Sequence, residues 1–189
     1  MSAKTETPQR AELVAFGMWL FLASEAMFFT AFFAMTIIMR VAHPELLAPR
    51  PLGLGLALVN TAVMALSVWT MVGAVKKARL GESAVAARNL SWTAVLGLLF
   101  LGVKAAEYAG EIHGGKLPST NLFFGCYYTL TGFEGLHVLI GVGVLAVLAW
   151  RAKRGDFHPN FHSPVDVMGL YWGLLALVWV FILAIFYIF

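Results

Sequence analysis

Four charged residues and one histidine lie inside long apolar stretches of this sequence, where an ionised group is costly to keep. They are Glu25, Lys104, Glu107, Glu134 and His137. An ionised carboxyl near the centre of a bilayer costs several kcal/mol and is rarely retained without a partner or a function. Side chains of these types can pair with one another, hold a proton or contact a lipid headgroup, so these five are the candidates for chemistry.

The stretches that carry these residues have the length and composition of membrane-spanning helices. Apolar residues make up 60% of the chain and charged residues only 12%, against about 25% charged in a typical soluble domain. Five apolar runs cover residues 13–39, 52–75, 90–109, 122–150 and 167–189. About 20 helical residues cross a bilayer, and no run alternates polar and apolar residues as a barrel strand does. We therefore predict an all-α integral membrane protein, a bundle of five transmembrane helices in one domain over residues 1–189.

Basic residues are distributed unevenly between the two ends of these predicted helices. Of the 13 Lys and Arg residues, nine fall in the N-terminal segment and the second and fourth loops, three fall in the first and third loops, and Lys104 lies inside a span. The positive-inside rule then predicts that the N-terminus lies inside and the C-terminus outside. No Lys or Arg run exceeds two residues, which argues against nucleic-acid binding.

The ionisable residues of the third and fourth spans occur three residues apart. Lys104 and Glu107 share a helix face near the outer boundary, which predicts an interfacial ion pair or a contact with a lipid headgroup or another subunit. Glu134 and His137 lie near the centre of a span and must face protein or a polar cleft. Glu-x-x-His is also half of a di-iron carboxylate site, but the sequence contains no second such pair, so we predict no metal site.

Small and polar residues mark the helix faces that are predicted to pack together. The second span carries such residues at intervals of three and four, among them Asn60 and Ser67, and Gly169 and Gly173 form a GxxxG pair in the fifth span. In lipid these patterns favour close packing, because small residues let backbones approach and polar side chains hydrogen-bond between helices. We therefore predict these four residues as helix-packing residues.

Each of the five apolar runs contains a distinctive segment. In chain order these are FGMWLFLASEAMFF, LVNTAVMALSVWT, LGLLFLGVKAAEY, YTLTGFEGLHVLIGV and YWGLLALVWVFILAIFYIF. In this order they resemble the helices of the short, five-helix bacterial form of subunit III of the haem–copper oxidases, chiefly cytochrome c oxidase. The resemblance extends from about Phe16 to Phe189.

The resemblance implies a non-redox accessory subunit of an oxidoreductase complex, with no catalytic centre, cofactor or metal in the chain itself. Haem and copper are expected in the partner subunits. The chain would pack beside subunit I, assemble with subunit II, and bind phospholipid in a V-shaped cleft between its helices. It would support proton uptake and stability during oxygen reduction in the bacterial inner membrane, with a respiratory supercomplex as a further candidate partner. Subunit III of a quinol oxidase, or a homologue associated with nitric oxide reductase, remains an alternative.

The resemblance also assigns roles to single residues. Glu25 matches the reactive buried acid of the lipid cleft, Glu107 and Tyr108 fall on the family's Glu-Tyr, and His137 falls on the second histidine of its fourth helix. Glu134 stands where the family usually has a first histidine. We therefore hypothesise that Glu134 and His137 form a hydrogen-bonded pair. These five residues are the candidates for lipid binding or proton uptake.

Three departures from the family pattern affect its membrane-embedded polar groups. Besides Glu134, Lys104 stands where the third helix usually has a glutamine. Gly173 and Ala176 stand where the fifth helix usually has a histidine and an aspartate. Two polar groups are thus lost from the fifth helix and a carboxylate is gained in the fourth, so the roles in proton uptake do not transfer without a test.

Two simpler interpretations stay open at this point. Glu25 could serve packing alone, as a protonated carboxyl bonded to Ser24, Thr61 or a backbone carbonyl, because the neutral form is the cheaper one in lipid. The chain could also be a small independent transporter that uses its intramembrane Glu residues for proton coupling. Internal repeats and broken helices are common in transporters. This sequence has neither a clear repeat nor a proline inside a span, so we favour the accessory subunit.

Overall fold

The computed structural model describes residues 7–45 and 52–188, and five long helices account for most of this part of the chain. They are α1 (Pro8–Ala42), α2 (Leu54–Arg79), α3 (Ser83–His113), α4 (Leu122–Lys153) and α5 (Ser163–Leu183), and a single π-helical turn, Ala184–Ile188, continues α5. All five are long and apolar enough to cross a membrane. The prediction of an all-α membrane protein with five spanning helices is confirmed.

Most of the helices extend further into polar sequence than the apolar runs predict. The clearest case is α3, which begins at Ser83 and ends at His113, beyond the predicted range 90–109 at both ends. Contacts between helices stabilise the added turns: the Ser83 hydroxyl donates to the backbone carbonyl of Ala152 at 2.7 Å. Hydropathy marks the part of a helix that meets lipid, whereas capping and packing decide where the helix ends.

Four of the helices form a compact unit, and the first lies outside it. Helix α2 packs against α3 and α5, and α4 packs against the same two helices, so α2 and α4 are diagonally opposite in a four-helix unit. Helix α1 contacts mainly α5 and, more weakly, α4. Much of α1 is therefore exposed, including Phe16 (62%), Trp19 (60%) and Met27 (74%).

Most of the residues that were predicted to pack helices together do so. Asn60 and Ser67 of α2 are fully buried, and the Trp172 indole of α5 donates to the Ser67 hydroxyl at 3.0 Å. A methyl group at Gly169 would lie 2.9 Å from an α2 side chain, so this glycine permits the close approach of α5. Gly173 differs, because a methyl group there would meet no atom of the described chain within 4 Å. The packing role predicted for Gly173 is therefore not seen within this chain.

Trp172 is packed between two glycines at the centre of the four-helix unit. A methyl group at Gly97 of α3 would lie 2.8 Å from the Trp172 ring, and one at Gly141 of α4 would lie 2.9 Å from it. These distances are shorter than van der Waals contact, so only glycine fits at either position without moving the ring. The two glycines therefore set the distance between α3, α4 and α5.

Candidate functional site

A groove of about 600 Å³ opens between α1 and α4, with α5 as its floor. Its walls are mainly apolar and include Met18, Ile140 and Val144. Two ionisable side chains, Glu25 from α1 and His137 from α4, also line it. The groove therefore combines an apolar surface that suits a hydrocarbon chain with one polar pair, and we call it the Glu25–His137 groove.

The Glu25 carboxylate and the His137 imidazole form the polar contact of this groove. Glu25 Oε2 lies 3.0 Å from His137 Nε2, and both side chains are mostly buried. The other ring nitrogen, His137 Nδ1, lies 2.7 Å from the backbone carbonyl of Phe133. The Tyr171 hydroxyl donates to the backbone carbonyl of His137 at 3.0 Å, which ties the groove's floor to α4. The imidazole is thus held at both nitrogens.

The geometry at the imidazole restricts where its protons can be. A carbonyl oxygen only accepts hydrogen bonds, so Nδ1 of His137 must carry a hydrogen toward Phe133. The contact between Nε2 and Glu25 Oε2 then needs one further proton, carried by the acid or by the ring. At this distance Glu25 and His137 can share a proton at the side of the groove.

Two predicted partnerships are wrong in the light of this contact. The hypothesised hydrogen bond between Glu134 and His137 is not formed within the described chain, since His137 pairs with Glu25 and Phe133 instead. The proposed bond from Glu25 to Ser24 or Thr61 is not formed either, because both hydroxyls donate to backbone carbonyls of their own helices. Helical spacing places two side chains on one face, but a group on a neighbouring helix can be the nearer partner.

Lys104 and Glu107 lie at the centre of a second polar group, which we call the Lys104 cluster and which also includes Tyr127 and Tyr187. Lys104 Nζ lies 3.1 Å from Glu107 Oε2. It also donates to the hydroxyl oxygens of Tyr127 at 3.1 Å and Tyr187 at 2.7 Å. Each tyrosine hydroxyl in turn donates to Glu107 Oε1, at 2.9 Å for Tyr127. The three donors of the ammonium group are thus all used, and the cluster is closed on itself.

The Lys104 cluster is an internal structural element and does not lie at the lipid interface. The predicted ion pair between Lys104 and Glu107 is confirmed, but its expected contact with headgroups is wrong, because the two residues are only 4% and 3% exposed. The ring of Trp179, whose centroid lies 5.0 Å from Lys104 Nζ, adds a cation–π contact. The cluster joins α3, α4 and the π-helical turn that follows α5.

Tyr108 and Glu134 lie next to the Lys104 cluster but have different surroundings. The Tyr108 hydroxyl pairs with the Thr131 hydroxyl, so the Glu-Tyr pair of α3 faces α4 with both members bonded. Glu134 is fully buried, and neither of its carboxyl oxygens has a hydrogen-bond partner within the described chain. Of the five candidate residues, the structure therefore brings together Glu25 with His137, places Glu107 and Tyr108 in or beside the cluster, and leaves Glu134 by itself.

The sequence patterns did not identify the aromatic residues that complete these sites. Tyr187 lies 80 residues from Glu107 and Tyr127 lies 20 residues from it, so only the tertiary fold brings them together. Trp179 of α5 donates to Thr61 of α2 at 3.0 Å, and these two residues are 118 positions apart in the sequence. The sequence offered only an indirect indication of these contacts: tyrosine and tryptophan in apolar spans are usually buried, and when buried their OH or NH group usually has a hydrogen-bond partner.

The fold and the sites define a class of protein, a multi-pass helical membrane protein with a buried ion pair and an open, mainly apolar groove. Within residues 7–45 and 52–188, no group of three or more His, Cys, Asp or Glu side chains is placed to hold a metal ion. The polar contacts described above can hold a proton or a headgroup and can fix helices. They do not form a nucleophile–base pair.

Comparison with known proteins identifies the family. The family model for cytochrome c oxidase subunit III matches residues 4–189. Cytochrome c oxidase subunit 3 of Thermostichus vulcanus is 31% identical over 181 residues, which cover 91% of this chain and 85% of the relative. A probable cytochrome c oxidase subunit 3 of Nocardia farcinica is 30% identical over 189 residues, covering 99% and 93%. The chain belongs to the cytochrome c oxidase subunit III family, as its five segments predicted.

Subunit 3 of a quinol oxidase, whose name gives quinol as the electron donor, is also similar to the chain. Quinol oxidase subunit 3 of Bacillus subtilis is 28% identical over 167 residues, which cover 88% of this chain and 82% of the relative. The chain is thus an accessory subunit III of a haem–copper oxidase, a component of an oxidoreductase complex, and the similarity extends to both kinds of oxidase.

Proposed function

We propose that this chain is the non-redox accessory subunit III of a respiratory cytochrome c oxidase, and that it binds phospholipid in the Glu25–His137 groove beside subunit I. One observation carries the proposal: an apolar groove open to the surroundings contains a single mostly buried acid–imidazole pair. Phospholipid has matching chemistry, with acyl chains for the apolar walls and a polar headgroup region for the pair. The Glu25–His137 pair would therefore contact the polar part of a bound lipid and is also the protonatable part of the groove.

The same pair gives the proposed role in proton uptake a physical basis. Glu25 and His137 lie 3.0 Å apart, close enough to share a proton, in a groove that is open at its side. Release of the shared proton would leave a Glu25 carboxylate beside a neutral imidazole, a net charge of −1, so the pair can pass a proton to water or a headgroup only as it takes up another. We propose that the groove keeps lipid and protonatable groups ordered beside subunit I during turnover, with haem and copper held by subunits I and II.

The proposed orientation places the N-terminus inside and the C-terminus outside a bacterial inner membrane. Its support is the distribution of basic residues, and the fold brings the ends that carry most of them to one side. Arg79 at the end of α2 pairs with Asp166 at the start of α5 at 3.2 Å, and Ser83 at the start of α3 bonds to Ala152 at the end of α4. The positive end of the bundle would then face the cytoplasm.

A quinol oxidase is the second candidate complex, favoured by the similarity to the Bacillus subtilis relative. Purifying the tagged chain in mild detergent distinguishes the two. A cytochrome c oxidase is expected to bring down haem-containing partners and to oxidise reduced cytochrome c. Oxidation of quinol by the same preparation, without cytochrome c oxidation, would favour the alternative. A preparation free of haem would contradict both.

The role of the groove is tested with Glu25→Gln in the assembled oxidase, with Glu12→Gln as the matched control. Glu12 lies on the exposed part of the same helix, outside the groove. We expect Glu25→Gln to retain less phospholipid through purification and to lose activity faster during turnover, while the control behaves as the parent does. Parental lipid content and parental inactivation in Glu25→Gln would restrict Glu25 to a packing role.

A further inference from the structure

Glu134 is an acid in the core of the four-helix unit that no part of the proposed function uses. It lies on α4, its side chain is fully buried, and both of its oxygens lack a hydrogen-bond partner within the described chain. It does not line the Glu25–His137 groove. A buried carboxyl without a partner is rare, because an ionised group in such a place carries a large desolvation cost.

Asn60 shows the same lack of partners on the diagonally opposite helix. It lies on α2, is fully buried, and neither its amide nitrogen nor its amide oxygen has a hydrogen-bond partner in the described chain. Helices α2 and α4 are diagonally opposite in the four-helix unit, and both side chains are fully buried within it. Two orphaned polar groups in one core call for a common explanation.

A series of contacts through Trp179 and Lys104 connects the neighbourhood of Asn60 with that of Glu134. Thr61, which follows Asn60, accepts a hydrogen bond from Trp179 at 3.0 Å. The Trp179 ring lies 5.0 Å from Lys104 Nζ. Glu134 interacts electrostatically with Lys104 but forms no hydrogen bond with it. Lys104 thus interacts with Glu134 directly and is connected to the neighbourhood of Asn60 through Trp179.

Lys104 cannot itself satisfy Glu134. Its three donors are all directed to Glu107, Tyr127 and Tyr187, and its charge is already balanced by the Glu107 carboxylate. A second full negative charge at Glu134 would leave the four-helix core with an excess charge and no donor for it. Tyr108, the other titratable neighbour of Glu134, is already bonded to Thr131.

We infer that Glu134 and Asn60 form an internal water-binding site in the core of the four-helix unit, with Glu134 held as a neutral carboxylic acid. A buried water needs two to four polar partners, and the two side chains supply four polar atoms. A protonated carboxyl can donate to such a water, and the Asn60 amide can donate and accept. The site is separate from the Glu25–His137 groove, so this inference does not depend on the lipid proposal.

Infrared difference spectroscopy on the assembled oxidase tests both parts of the inference. The spectrum of the parent minus that of Glu134→Gln is expected to contain the C=O band of a protonated carboxyl, shifted in D₂O. In ¹⁸O-labelled water, a band of confined water is expected in the parent and lost in both Glu134→Leu and Asn60→Leu. Loss of ionised carboxylate bands in Glu134→Gln would overturn the neutral acid, and no ¹⁸O-sensitive difference would overturn the water site.

Thermal unfolding gives a second test, which can be made even if one variant is incorporated poorly into the oxidase. Glu134→Leu removes an uncharged acid and leaves Asn60 with fewer partners, so its unfolding midpoint is expected to fall only slightly. Glu107→Leu is the matched control, because it removes an equally buried acid that balances a charge, and its midpoint is expected to fall. A fall in Glu134→Leu as large as that in Glu107→Leu would overturn the neutral acid.

Discussion

Glu25 Oε2 on α1 and His137 Nε2 on α4 lie 3.0 Å apart, although α1 otherwise packs mainly against α5. This contact therefore fixes the width of the groove between α1 and α4. Because the hydrogen on Nδ1 is directed to a backbone carbonyl, Nε2 is the ring nitrogen that faces Glu25. The contact connects the packing of α1 with the chemistry proposed for the groove.

A double-mutant cycle with Glu25→Leu and His137→Leu measures the strength of this contact. We expect a coupling free energy of about 1–3 kcal/mol, since the bond is mostly buried and involves at least one group that can be charged. The measurement is the free energy of unfolding of the chain in mixed micelles, for the parent, the two single variants and the double variant. Additive effects of the two single variants would show that the 3.0 Å contact contributes nothing to docking of α1.

Breaking the Lys104 cluster at one member is expected to destabilise the chain strongly. Lys104→Met leaves the Glu107 carboxylate buried without its counter-charge, for which we expect a loss of about 3–5 kcal/mol in the free energy of unfolding. The double variant Lys104→Met with Glu107→Leu should recover most of that loss, because no buried charge then remains. Unfolding monitored by circular dichroism in mixed micelles gives both values.

The matched control for this prediction is the surface ion pair between Lys77 and Glu82. Its N–O distance is 2.8 Å, shorter than that of the buried pair, but its side chains are 37% and 43% exposed. Lys77→Met is therefore expected to cost less than about 1 kcal/mol. Equal losses for Lys104→Met and Lys77→Met would contradict the view that burial, and not distance, makes the cluster important.

Tyr187 is expected to attach the π-helical turn at the end of α5 to α3. Its hydroxyl accepts from Lys104 and donates to Glu107, so Tyr187→Phe removes two bonds to charged groups. We expect a loss of about 1.5–3 kcal/mol and faster backbone hydrogen exchange in residues 184–188. Tyr128→Phe, which removes a single bond to a backbone carbonyl, should leave exchange there unchanged. Unchanged exchange in both variants would refute the attachment.

The proposed orientation predicts which loops are accessible from outside the cell. In a Cys126→Ser background, Ser119→Cys lies between α3 and α4 and Arg154→Cys lies between α4 and α5, both at exposed positions. We expect a membrane-impermeant maleimide to label the first but not the second in intact spheroplasts, and to label both after lysis. The reverse labelling pattern would show that the chain has the opposite orientation in the membrane.

The number and type of the helices could be predicted from sequence, because a span must satisfy its backbone internally and must be apolar over its length. The buried face of α2 was predictable as well, since Asn60 and Ser67 recur at helical spacing. Periodicity within one helix is local information, and it was sufficient for these features. The same reasoning identified Lys104 and Glu107 as a pair, because both lie on one helix.

The partners of the site residues could not be predicted, because they lie on other helices. His137 could reach Glu134 three residues away by spacing alone, yet it bonds to Glu25, more than a hundred positions distant. Tyr187 completes the Lys104 cluster from the end of the chain. Which of several polar groups at one depth pair together depends on how the helices are rotated and packed, and no pattern within a single span contains that information.

The two glycines around Trp172 give the sharpest test of the packing in the four-helix unit. Gly97→Ala and Gly141→Ala each place a methyl group within 2.9 Å of the indole, so each is expected to cost about 1–3 kcal/mol and to lower the midpoint of thermal unfolding. Gly102→Ala and Gly143→Ala are the matched controls on the same two helices. A methyl group there meets no atom of the described chain within 4 Å, so these variants should be neutral or slightly stabilising.

The cause of that destabilisation can be assigned by replacing the Trp172 indole with a smaller ring. If the clash with Trp172 is responsible, Trp172→Phe should restore part of the stability that Gly97→Ala loses, even though it also gives up the bond to Ser67. The same substitution in the Gly102→Ala background has no clash to relieve and should only destabilise. Equal effects of Trp172→Phe in the two backgrounds would mean that the glycines are needed for a reason other than the approach of this ring.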